Sequence, residues 1–294
     1  MKDLSGIYPP IAIPFQEDEA IDFDGLQLNL ERWAAQPLDG IVVPGSNSEA
    51  AYMTYAERIE VMRVCAGVMR AAGKRFIAGT GMETTGETIR MTQAAAELGA
   101  DAVLILPPYF YKPAMNHAVL VAHFTAVADQ SPVPILVYNV PQFTGVAFTN
   151  QTLIELAGHP RIAGVKDSSI NVAQMASLKA SCPEFQIFSG TGSALLPFLS
   201  IGASGGVMAL ANFAARPLRA VWDAFQAGNM SEAIPRQLAL ANINAAVTST
   251  FGVPGLKYAM NRTGFRGGWP RRPLLPLNAE GCAAIDRLLE PLTL

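Results

Sequence analysis

An apolar run from Ile162 to Val165 ends in a lone lysine, Lys166, with Asp167, Ser168 and Ser169 directly behind it. A short apolar run followed by a Ser/Asn-rich segment reads as a buried strand passing into the start of a helix, with an amine at the strand's C-terminal end. Burial disfavours the charged form of an amine, and the neutral form attacks carbonyl carbon. The competing reading is a structural lysine neutralised by Asp167 or Glu155, because buried lysines are usually paired. Tyr138 closes the run Ile135 to Tyr138 in the same way. A lysine and a tyrosine at the ends of neighbouring strands suit imine chemistry, the amine attacking a ketone while the phenol moves protons. The turn Gly45-Ser46-Asn47 adds backbone N–H groups and two short polar side chains suited to a carboxylate, although Gly, Ser and Asn also form ordinary turns. Gly190-Thr191-Gly192-Ser193 is a candidate phosphate turn at a helix start, but it has no Lys or Arg close by in the sequence.

These groups need a frame that brings strand ends together. Eight apolar runs recur: Ile7 to Phe15, Gly40 to Pro44, Phe76 to Gly79, Ala102 to Leu106, Ile135 to Tyr138, Ile162 to Lys166, Phe185 to Ser189 and Gly205 to Met208. Roughly 20–35 residues separate them, room for a loop and a crossover helix each time. Such alternation predicts a parallel sheet, and eight units predict an α/β fold closed as a (β/α)8 barrel, whose active sites lie at the C-terminal strand ends. The helical segments between the runs carry their own punctuation. Thr54 and Glu57 form a capping box, and Gly73 and Gly99 mark helix ends. A doubly wound sheet is the rival, but no G-x-G-x-x-G follows the first run. The strand pattern stops near Ala224, giving an expected barrel over 1–223 and a helical extension over 224–294, with helices at Ser231 to Val247, Pro254 to Asn261 and Asn278 to Leu289.

Composition narrows the partners. The 294 residues are 50% hydrophobic and 15% charged, with a net charge of −3, which points away from nucleic acid and anionic membrane surfaces. Cys65, Cys182 and Cys282 are odd in number and far apart, suggesting a reducing compartment. The first residues hold no apolar signal core and no run is long enough for a membrane helix, so a cytoplasmic location is expected. His117, His123 and His159 show neither H-x-H nor H-E-x-x-H spacing, so no metal is expected. No G-x-S-x-G elbow occurs.

Three motifs in order then make a pattern: Pro44-Gly45-Ser46-Asn47-x-Glu49, Tyr138-Asn139-Val140-Pro141-x-x-Thr144-Gly145 and Gly164-Val165-Lys166-Asp167. With them the chain resembles the dihydrodipicolinate synthase/N-acetylneuraminate lyase family over almost its whole length. Gly255 to Met260 and Arg272 to Leu277 look like that family's C-terminal part. The resemblance implies a cofactor-free class I aldolase or lyase that binds a 2-oxo acid as a Schiff base on Lys166. It further implies that Tyr138 shuttles protons, that Ser46 and Asn47 hold the carboxylate, that Val207 and Gly190 line the site, and that subunits assemble as a homotetramer, a dimer of dimers. Three positions depart from the synthase branch. Phe143 stands where that branch has an arginine for the second substrate's carboxylate, Phe110 where it has a tyrosine given to the neighbouring subunit, and Ser48 where the family has glycine. These departures count against the synthase, and Ser46-Asn47 looks more like the aldolases of the 4-hydroxy-2-oxoglutarate or 2-keto-3-deoxy sugar acid type. The synthase itself is the alternative, and a barrel that only senses a 2-oxo acid is the non-enzyme reading.

Overall fold

A computed structural model describes residues 2–292. Its eight strands are β1 (Gly6–Tyr8), β2 (Gly40–Val43), β3 (Arg75–Gly79), β4 (Ala102–Ile105), β5 (Ile135–Asn139), β6 (Ile162–Asp167), β7 (Gln186–Ser189) and β8 (Gly205–Val207). All pair in parallel in the order β1-β8-β7-β6-β5-β4-β3-β2. The ring closes where Pro10 bridges Val42, with Val42 N donating to Pro9 O and Ile11 N to Val42 O. Pro9 and Pro10 lack N–H donors, which is why the ladder of β1 stops at Tyr8 although the apolar run continues to Phe15. The expected (β/α)8 barrel is thus observed.

Helices α1 (Phe23–Ala35), α2 (Tyr55–Ala71), α3 (Thr85–Glu97) and α4 (His117–Gln130) cover the first strands, and α5 (Pro141–Thr144) is a single turn after β5. They are followed by α6 (Asn150–Ala157), α7 (Val172–Ser181), α8 (Leu195–Ser200) and α9 (Ala215–Gln226). Thr54 caps α2 as its sequence implies: Glu57 N donates to Thr54 Oγ1 at 3.2 Å and Thr54 N to Glu57 Oε2 at 2.7 Å. Such a cap is worth about 1 kcal/mol. The division drawn at 223/224 falls within α9.

Two apolar clusters separate cleanly. One fills the space between strands and helices, the other fills the barrel interior with Leu4, Tyr8, Val42, Ile77, Leu104, Leu136, Tyr138, Ala163, Phe188 and Val207 among its members. Strict alternation would send Ala163 and Lys166 to opposite faces. A register shift opposite Ile135 and Leu136 resets the phase of β6, so Ala163 and Tyr138 face inward, Val165 packs outward, and Lys166 pairs with Tyr138. Gly164 permits the close approach of β7 there, since a Cβ would run into the Gln186 carbonyl.

The C-terminal segment differs from the expected three helices. Ser231 to Val247 divides into α10 (Met230–Ala239) and α11 (Ala241–Ala245), and α11 runs into a π-helical turn over Ala246–Thr250. The hydroxyls of Thr248 and Ser249 take the carbonyls of Asn244 and Ala245, easing the loss of regular α-helical bonds. Then come α12 (Gly252–Arg262) and α13 (Ala279–Leu289).

Candidate active site

Lys166 lies at the C-terminal end of β6 and is only 3% exposed. Its Nζ stands 4.0 Å from the centre of the Tyr138 ring on β5. Neither carboxylate considered from the sequence meets it. Asp167 is turned away: it accepts from Asn139 Nδ2 at 2.6 Å, Ser169 Oγ at 2.8 Å and Ile170 N at 3.1 Å. Glu155 pairs instead with His117 at 3.1 Å on the surface. Among the described residues, no carboxylate lies within ion-pair distance of Lys166, so a structural neutralising partner is missing. Burial holds Asp167 above the ordinary carboxylate range despite the hydrogen bonds from Ser169, Asn139 and Ile170. Those bonds fix the loop behind the lysine rather than the lysine itself.

Tyr138 is the second buried group of the mouth. Burial pushes its hydroxyl up, yet the Lys166 cation together with hydrogen bonds from Ser46, Ser168 and Lys166 outweighs burial and leaves the pKa below the usual tyrosine value. A phenol held this way gives up and recovers a proton more readily than one in water. Ser46 opens the 3-10 turn Ser46–Ser48 directly after β2, where the first N–H groups have no carbonyl one turn back to bind. Asn47 Nδ2 reaches Pro10 O only at 3.4 Å. Ser48 is spent on structure, donating to Ile11 O at 2.5 Å and accepting from Gly45 N at 3.0 Å.

Val207 closes the interior from β8. Gly190 sits against Ser168, and a Cβ there would run into the Ser168 hydroxyl and the Asp167 carbonyl. Gly190 is therefore a spacer that lets Ser168 stand beside Tyr138. The candidate phosphate turn at Gly190–Ser193 is closed. Gly190 N donates to Asp167 O, Thr191 N to Ser189 Oγ, and Gly192 N to Asn244 Oδ1. Asn244 also donates to Thr191 Oγ1 at 2.8 Å, so the barrel loops and the helical extension together occupy these groups.

Phe143 lies in α5 and is 66% exposed, in solvent rather than against Lys166 or Tyr138. Beside it, a Cβ on Gly145 would touch the Lys112 side chain out to Nζ, so the mouth has a cation near Phe143. Phe110 and Tyr111 are 74% and 71% exposed and pack edge to face at 5.1 Å. Glu83 anchors their loop by accepting from Tyr109 N and Phe110 N. The histidines stay apart: His117 faces Glu155, His159 faces Asp129, and buried His123 bonds Thr85 and is lowered to about 4 by burial.

Sequence reasoning missed Ser168, reading it as part of a helix start. Helix α7 in fact begins at Val172 behind its cap Asn171, and Ser168 follows Lys166 by two residues, the strand period that puts both on one side. That period was the available signal.

The model of the Dihydrodipicolinate synthetase family matches residues 3–292. A curated 4-hydroxy-tetrahydrodipicolinate synthase of Exiguobacterium sp. is 36% identical over 295 residues, covering 98% of this chain and 97% of its own. A crystal structure described as dihydrodipicolinate synthase from Bacillus anthracis has a TM-score of 0.95 at 27% identity, each chain fully covered. Another, from Acinetobacter baumannii, is described as chloride-inhibited and complexed with pyruvate; it has a TM-score of 0.92 at 28% identity and covers 98% of both chains. No helix of the described chain is long and apolar enough to cross a membrane. This chain belongs to the dihydrodipicolinate synthase family and is a carbon–carbon lyase of the class I aldolase type.

Proposed function

We propose that Lys166 forms a Schiff base with C2 of pyruvate and that the enzyme joins the resulting enamine to an aldehyde. The carrying observation is the buried Lys166 amine beside the Tyr138 ring with no carboxylate partner. In this reading the neutral amine attacks C2, Tyr138 gives the proton with which the C2 hydroxyl leaves as water, and the protonated imine draws electrons from C3 as the Tyr138 phenolate takes a proton from C3. The enamine carbon then attacks the aldehyde carbonyl, and Tyr138 returns a proton to the new alkoxide. Ser46 and Asn47 hold the pyruvate carboxylate through the head of their turn, while Val207 and Gly190 shape the wall. No cofactor takes part.

The relatives' names favour 4-hydroxy-tetrahydrodipicolinate synthase over the aldolases, reversing the order suggested by sequence departures alone. That reaction brings a second carboxylate to the mouth, on aspartate semialdehyde. Phe143 cannot receive it, but the Lys112 side chain lies against Gly145, the residue that ends the Phe143 turn. The aldolase reading, cleavage of a 4-hydroxy-2-oxo acid to pyruvate, retains one observation in its favour: Phe143 and Phe110 are both apolar at the mouth. Assembly as a homotetramer in the cytoplasm belongs to the same proposal, supported by the exposed Phe110–Tyr111 pair and by three free cysteines.

The test is kcat/KM for pyruvate with aspartate semialdehyde against pyruvate release from 4-hydroxy-2-oxoglutarate. A synthase value of about 10⁴ M⁻¹s⁻¹ or more, reduced at least tenfold by Lys112→Met, is the expected result. Faster pyruvate release with negligible condensation would move the assignment to the aldolases.

A further inference from the structure

The turn that carries Ser46 and Asn47 is held from behind by a distant part of the chain. Glu49 ends that turn in the left-handed conformation, φ 57° and ψ 38°, which a side-chain-bearing residue adopts only under constraint. Its carboxylate meets Lys257 Nζ of α12 at 2.5 Å, with side chains 1% and 2% exposed respectively. The contact is a close ion pair rather than an aligned hydrogen bond, since Glu49 Oε1 has no directed donor. Glu49 Oε2 accepts from Arg271 N at 2.7 Å, 222 residues further along the chain. Lys257 donates to Trp269 O at 2.6 Å and stands 4.5 Å over the Phe15 ring. The chemistry proposed above uses none of these groups.

We propose that the Glu49–Lys257 pair positions the carboxylate seat. This inference rests on the reading of Ser46 and Asn47 as that seat. A buried ion pair adds little stability over an apolar pair of the same size, but removal of one member strands the other charge, so the pair enforces a single arrangement. Here the enforced arrangement is the left-handed backbone at Glu49, two residues past Asn47. From its own side the turn has the backbone bonds Ser48 N to Gly45 O, Glu49 N to Ser46 O and Ala50 N to Gly45 O and the Ser48 hydroxyl, while the Asn47 side chain has only its 3.4 Å contact to Pro10. A seat aligned before substrate arrives binds the carboxylate without a further ordering cost. It also holds that carboxylate equally in ground and transition states. Loosening it therefore weakens pyruvate binding and leaves the imine-forming step intact.

The experiment uses full-length enzyme with Glu49→Gln plus Lys257→Met, which removes both charges at similar volume and strands neither. Trapping with borohydride over a range of pyruvate concentrations, read by intact mass, gives a half-saturating concentration and a maximal extent. The expected result is a melting temperature close to wild type, half-saturation raised about tenfold and maximal trapping unchanged. Glu49→Gln alone keeps the acceptor for Arg271 N and is expected to raise half-saturation severalfold. Arg219→Met, which breaks the Asp39–Arg219 pair at the opposite end of the barrel, is the control and leaves half-saturation unchanged. Unchanged half-saturation in a folded double or single variant, with wild type trapped normally, overturns the positioning role alone. Wild type that traps no pyruvate removes the Schiff-base reading, and the positioning role falls with it.

Discussion

Two tyrosines inside the barrel, each beside a cation, are driven in opposite directions. Tyr8 lies in the floor: its hydroxyl donates to Leu4 O at 2.7 Å and accepts from Arg75 Nη1 at 2.9 Å. Burial pushes its pKa up, and Arg75 recovers only part of that shift. Tyr138 lies in the mouth, equally buried, and its pKa is pulled down. The difference is the company of the oxygen. Tyr8 has a single side-chain donor, Arg75, and the carboxylates of Asp39 and Asp3 oppose its ionisation, whereas Tyr138 faces the donors Ser46, Ser168 and Lys166. The floor cation is a guanidinium, which is no nucleophile, and the mouth carries a primary amine. Burial and a neighbouring charge are common to both ends, so the opposite shifts follow from the other groups around each oxygen.

The largest test of that contrast makes the mouth resemble the floor. Lys166→Arg keeps a cation beside Tyr138 but removes the nucleophile, and turnover is expected to fall below about 10⁻³ of wild type with the fold retained. Near-normal steady-state turnover in that variant would remove the contrast. Tyr138→Phe is expected to slow kcat by about 10²–10⁴-fold. Tyr8→Phe should leave kcat alone and lower stability by about 1–2 kcal/mol, by leaving the Leu4 carbonyl unpaired. Denaturant unfolding and rate assays on both variants separate the two ends, and a comparable rate loss from Tyr8→Phe would erase the distinction.

A pH series tests the ion pair behind the turn of Ser46 and Asn47. Burial lowers Lys257 to about 8, with Glu49 opposing and Arg271 reinforcing the shift. Above pH 8 the pair with Glu49 is lost, so half-saturation by pyruvate should rise more steeply in wild type than in Glu49→Gln/Lys257→Met. Stability moves the other way. From about pH 8 to the ordinary lysine value of 10.5, the unfolded chain holds the Lys257 proton and the folded chain does not, so this group's contribution to unfolding free energy grows with pH. Parallel slopes in the trapping data would reject the coupling. The smallest expected effect is from Ser168→Ala, which removes one donor to Tyr138 and should cost about tenfold or less in kcat, with the alkaline-favoured limb of the profile moved to higher pH. A profile superimposable on wild type would make Ser168 a packing residue.

The barrel was legible because its evidence is local. Apolar runs of strand length, capping residues such as Thr54 and Glu57, and glycines at helix ends each signal their element without tertiary context. The placement of Lys166 and Tyr138 at the ends of neighbouring strands was legible for the same reason, as polar residues closing apolar runs. What was illegible depends on partners far along the chain. The phase change in β6 that turns Lys166 inward arises from its register against β5. The closing of Gly190–Ser193 needs Asn244, and the ion pair behind Ser46 and Asn47 needs Lys257. The carboxylates considered as partners for Lys166 were near it in sequence but are bound elsewhere in space.

The central claim, a nucleophilic Lys166, is tested most directly by incubating wild type with pyruvate and borohydride, then mapping the adduct by mass spectrometry of peptides. A reduced pyruvate adduct on the peptide containing Lys166, absent from Lys166→Arg, is the expected result. No mass shift with pyruvate, or an adduct located on another lysine such as Lys257 or Lys112, would contradict it.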